Sequence, residues 1–64
     1  MATQKGVGWI SQVQLADGTW ISWTQWKERH VAENHVERLM KDNPAHIAGR
    51  VVRVDWTVIA EVGA

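Results

Sequence analysis

Hydrophobic and polar positions alternate with period two along residues 49–62, the longest strand-like run in the chain. Even positions carry Val52, Val54, Trp56, Val58 and Val62, and odd positions carry Arg53, Asp55, Thr57 and Glu61. Alternation of β-branched and aromatic residues with charged ones marks a half-buried strand. It predicts a last strand whose valines and Trp56 face a covering layer, with Arg53, Asp55 and Thr57 on the open side. Val51 and Ile59 interrupt the polar side, and Arg50 interrupts the apolar one.

Residues 9–15 alternate as well. Trp9, Val13 and Leu15 share a face with Ser11, while Gln12 and Gln14 take the other and Ile10 is the outlier. Gly8 opens this first strand, Ala16-Asp17-Gly18 is a turn signal, and residues 19–24 form a second strand. The loop length decides the register, because a slip of one residue turns every side chain over. A two-residue loop would oppose Leu15 to Trp20 and Gln12 to Trp23. A three-residue loop with Gly18 in the left-handed conformation pairs Leu15 with Thr19, Val13 with Ile21 and Ser11 with Trp23. That register gathers Val13, Leu15, Ile21 and Trp23 on one side and leaves Trp20 beside Gln14 on the other.

A helix is expected to start near residues 22–25, capped by Ser22 or Thr24, and to run through residues 26–41. At 100° per residue, Glu28, Ala32, Val36, Leu39 and Met40 form its inner face, with His35 on the edge and Trp26 off that face. Asp42-Asn43-Pro44 stops it, since the residue before a proline avoids the helical region. Ile47, in the link to the last strand, is the expected plug of the core.

Strand, hairpin, strand, helix, strand is an α+β chain of ββαβ form. The simplest sheet is three-stranded and antiparallel, in the order 2-1-3, with one helix packed on one face. Residues 1–6 are expected to be a flexible N-terminus and residues 7–64 a single domain. The far face of such a sheet is uncovered, and its outer strands are edges on which another chain can pair.

Composition narrows the possibilities. Sixty-four residues make one domain, and a chain of this length buries only about 60% of its unfolded surface. There is no cysteine to staple it, which fits a reducing, cytoplasmic setting. Five tryptophans stand without any phenylalanine or tyrosine. They exceed what so small a core accommodates, so Trp20 and Trp26 become candidate contact anchors beside their bland role as packing residues. Seven basic residues balance seven acidic ones, which argues against a generic nucleic-acid or anionic-membrane binder. No apolar run reaches the roughly 18 residues of a membrane span.

No catalytic, cofactor or metal residues are expected. His30 and His35 lie about 140° apart on the helix and His46 falls in a loop, so three or four ligands do not converge, and all three histidines are expected on the surface. No phosphate loop or serine-nucleophile pattern occurs.

Gly18-Thr-Trp-Ile-Ser-Trp, an acidic-basic helix ending in Asn43-Pro44, and Arg50-Val-Val-Arg-Val together resemble small ββαβ proteins of phages and prophages. The element order is also similar to that of the T7-type phage inhibitors of host RNA polymerase. The resemblance implies a host-directed binding protein, with Arg50 and Arg53 at the positions of that family's gripping arginines. The expectation is a non-enzymatic module that binds and inhibits a host protein through Trp20, Arg50, Arg53 and Asp55, with Trp26 at the rim. A nucleic-acid binder using Arg and Trp on the sheet face and a self-assembling homo-oligomer, such as a dimer through an edge strand, are the alternatives.

Overall fold

A computed structural model describes residues 4–60, 62 and 63. Among these the chain forms β1 (Lys5–Leu15), β2 (Trp20–Trp26), α1 (Arg29–Asp42) and β3 (His46–Thr57). The three strands make one antiparallel sheet in the order β2-β1-β3, and α1 packs on one face. Of the segment expected to be flexible, residues 1–3 lie outside the described residues, and Lys5 and Gly6 belong to β1. Glu61, expected in the last strand, also lies outside them, and β3 ends at Thr57.

The hairpin register follows the three-residue loop. Val13 pairs with Ile21 and Gln14 with Trp20. The Leu15 N–H donates to the Thr19 carbonyl at 2.9 Å and the Gly18 N–H to the Leu15 carbonyl at 2.9 Å. Gly18 has φ +91°, a value that a side chain disfavours. Asp17 Oδ1 accepts the Thr19 N–H at 2.9 Å, and this bond holds the Asp17 carboxyl below its ordinary pKa.

Further along, the expected pairing of Ser11 with Trp23 gives way to a bulge. Gln12 pairs with Ser22, but Ile10 pairs with Gln25 and Trp9 with Trp26. β2 therefore holds one extra residue opposite Ser11. The extra residue re-aims the strand end. Trp26 swings to the helix side, and Gln25 swings to the far side, where its amide covers the backbone of Gly8. Trp26 is thus a strand residue and not the start of the helix. Trp23, expected in the core, is 54% exposed and meets His35 edge-on.

Two residues, Lys27 and Glu28, separate β2 from the helix, with Glu28 at the N-cap and no side-chain capping bond from Ser22 or Thr24. Ala32 is fully buried, and Val36, Leu39 and Met40 are half-buried against the sheet. Two histidines expected on the surface serve the packing. His35 Nδ1 lies 2.7 Å from the buried Ser11 Oγ, and its ring meets Trp26 at 5.2 Å between centroids. His46 is buried, with Nδ1 3.0 Å from the Leu39 carbonyl. A carbonyl only accepts, so that nitrogen carries the proton. A register irregularity beside Leu15 seats His46 inward and turns the expected plug, Ile47, out to 56% exposure.

The largest departure concerns the faces of β3. Gly49 pairs with Val13 and Val51 with Ser11, residues that lie under the helix. A Cβ on Gly49 would run into Val36 and come within 3.4 Å of Met40. The odd residues Gly49, Val51, Arg53, Asp55 and Thr57 therefore share the helix side, and Arg50, Val52, Val54 and Trp56 take the uncovered side. This reverses the assignment drawn from alternation alone. The helix can approach the sheet closely only where a small residue admits it, and Gly49 has the odd parity.

Candidate functional site

The uncovered face is built from the even residues of β1 and β3 and from Trp20, Ser22 and Gln25 of β2. It divides into a polar end and an apolar end.

At the polar end a side-chain ladder crosses all three strands. Gln12 Nε2 donates to Ser22 Oγ at 2.8 Å, and Arg50 Nε donates to Gln12 Oε1 at 2.6 Å. The Arg50 guanidinium carbon sits 3.9 Å from the centroid of the Trp20 ring, a cation–π contact. Gln14 Nε2 donates to the Gly18 carbonyl at 3.2 Å, tying the turn to the same end. Arg50 is thereby held by two neighbours, and its exposed guanidinium carries N–H donors beyond the one that Nε gives to Gln12. The cation also covers the indole face on which a nucleic-acid base would stack.

At the apolar end lie Ile10, Val52, Val54 and Trp56. The three aliphatic residues are half-buried, and Trp56 is 42% exposed. Trp56 lies across its cross-strand partner Gly6, whose missing side chain makes room for the ring. Where β1 runs past the end of β2, a groove of about 470 Å³ opens, with Val7, Trp26, Lys27 and Trp56 among its walls.

The expected site residues are not all brought together. Trp20 and Arg50 are joined on the uncovered face. Arg53 and Asp55 lie on the helix side, bonded to each other at 3.2 Å. Trp26 also lies on the helix side, where its Nε1 donates to Ser11 Oγ at 3.4 Å. Val52, Val54 and Trp56 were missed as surface residues, because period two tells which residues share a face and not which face the helix covers; Ile10 was expected beside Gln12 and Gln14 and is found there. Val51, an apolar residue among the odd positions of β3, was an available signal.

No cluster of three or more His, Asp or Glu side chains placed to hold a metal occurs among the described residues. No helix there is long and apolar enough to cross a membrane. No family model, curated protein or solved structure matches the chain.

Proposed function

We propose that this chain is a small, non-catalytic binding module that docks its uncovered sheet face on a partner protein and modulates it. The observation that carries this reading is the face itself: a fixed Trp20–Arg50–Gln12 ladder beside an uncovered ridge of Ile10, Val52, Val54 and Trp56. Trp and Arg held by neighbours lose little freedom on binding, which is the property of interface hot spots. The complementary surface is apolar with an acceptor, such as a carboxylate, opposite Arg50. In the form implied by the resemblance to phage proteins, the partner is a host protein and the effect is inhibition, with Arg50 rather than Arg53 making the contact.

A photo-reactive residue at Ile10, in the middle of this face, tests the reading in a lysate of the cell that makes the protein. The expected result is a discrete adduct with another protein that the same group at Glu37, on the solvent side of α1, does not give. The purified partner should then bind the Arg50→Ala, Trp56→Ala variant at least about tenfold more weakly. Equal adducts from both positions, or unchanged affinity, would refute it.

A further inference from the structure

We propose that β3 pairs with β3 of a second copy of this chain, antiparallel and centred on Val54, to form a six-stranded sheet. This inference uses the edge of β3 and not the uncovered face, so it stands independently of the proposed function.

Among the described residues β3 is an outer strand of the sheet, and its edge is regular. The Val58 N–H donates to the Gln4 carbonyl at 2.9 Å, and the β1–β3 register continues from there without irregularity through Ala48. In an antiparallel ladder, inward and outward bonding alternate. The even residues of β3 therefore spend their backbone groups on β1, and Gly49, Val51, Arg53, Asp55 and Thr57 aim theirs outward. The β2 bonds of Leu15 have the matching parity on β1. β2, the opposite edge, is interrupted by its bulge, whereas β3 from residue 48 to 57 is not.

The pattern of side chains selects one register. Two-fold pairing centred on Arg53 sets arginine against arginine, and centring on Asp55 sets aspartate against aspartate; both are unfavourable. Centred on Val54, Arg53 of each copy faces Asp55 of the other. On the uncovered side the same register sets Val54 against Val54 and Val52 against Trp56. Charges at an edge usually guard against pairing, but these two are complementary to their own copies. Four outward-facing pairs exchanging two bonds each give about eight backbone hydrogen bonds.

The pairing also supports the weakest part of the molecule. Residues 5–8 and 54–57 extend beyond β2 and beyond the helix start, where Arg29 lies over Trp9. A two-stranded ribbon of this kind is marginal alone. With the exposed residues that follow β3, it extends the molecule to a radius of gyration of 14.8 Å, against about 11 Å for a compact chain of this length. Joined to its copy, the ribbon becomes one half of a four-stranded region, and the two helices lie clear of the contact at opposite ends.

Charge reversal on the full chain tests this by sedimentation across a concentration series. Wild type is expected to dimerise. Arg53→Asp and Asp55→Arg should each weaken self-association at least about tenfold, and mixing the two variants should restore a dimer containing one of each. The double variant R53D/D55R should dimerise alone. Circular dichroism of each variant verifies the fold. The chain has no native cysteine, so Val54→Cys should form an intermolecular disulfide on mild oxidation while Thr57→Cys should not. A wild type that stays monomeric to millimolar concentration, mixtures that do not associate, or cross-linking at position 57 in preference to 54 would overturn the proposal.

Discussion

Replacing Gly49 by alanine separates the two possible faces of β3 by the sign of its effect. Gly49 has no positive φ, so alanine meets no backbone objection there. On an uncovered strand position the change would stabilise the chain by about 0.4–1 kcal/mol, because alanine restricts the unfolded state. In this structure the outer edge of Gly49 is open to solvent, but its helix side is not. The new Cβ would run into Val36 Cγ1, with Met40 at 3.4 Å behind it. Val36 is β-branched and held to essentially one rotamer in a helix, so it cannot turn away cheaply. Overpacking of this kind costs about 1–3 kcal/mol, a large part of the roughly 3–10 kcal/mol expected for a domain of this size. At about 4–8 °C per kcal/mol, a cost near 2 kcal/mol lowers Tm by roughly 8–16 °C. Thermal melts followed by circular dichroism read this directly at fixed protein concentration. Val36→Ala in the same chain should recover part of the loss, with a coupling of about 0.5–3 kcal/mol between the two sites. A Tm that rises in Gly49→Ala, or two changes that simply add, would refute the placement of Gly49 under the helix.

Other outcomes follow from individual contacts. Ser11→Ala removes the hydroxyl that lies within hydrogen-bond distance of His35 Nδ1, the Thr24 carbonyl and Trp26 Nε1; chemical denaturation should show a loss of about 1–3 kcal/mol and a changed Trp emission. His46→Ala leaves the Leu39 carbonyl without its partner at the end of α1 and should cost a similar amount, with hydrogen exchange rising in the last helical turn. Asp17 has its pKa lowered by the Thr19 N–H. Its contribution to the turn is therefore complete above the ordinary carboxylate range and is lost as pH falls through the depressed value. Stability of the wild type should fall over that acid window more than that of Asp17→Ala, as measured by melts at successive pH values.

The parts of the fold that local chemistry decides were legible in the sequence. Asp17-Gly18 and the need to keep Val13 and Ile21 together specified the turn, and Asn43-Pro44 ended the helix within a residue. Strand order followed from the hairpin and the crossover. What escaped were features set by contact between elements. Alternation in β3 grouped Val52, Val54 and Trp56 correctly, but a glycine on the other parity decided which group met the helix. The bulge opposite Ser11 depends on the tertiary advantage of bringing Trp26 to His35, and no turn residue announces it. That bulge moved Trp26 off the expected helix and left Trp23 exposed. The same reversal separated Arg53 and Asp55 from Trp20 and Arg50, so the four expected contact residues fall on two sides of the sheet.

α1 packs on the side of the sheet that carries the odd residues of β3, against Gly49, and leaves Val52, Val54 and Trp56 on the uncovered side. Solution NMR on isotopically labelled protein tests this placement most directly through short proton–proton contacts. Cross-peaks from the Gly49 Hα protons to the Val36 methyls and the Met40 side chain are expected, together with contacts between the Gly6 Hα protons and the Trp56 ring. Contacts from the Val52 or Val54 methyls to Ala32, Val36 or Leu39, with none from Gly49, would contradict it.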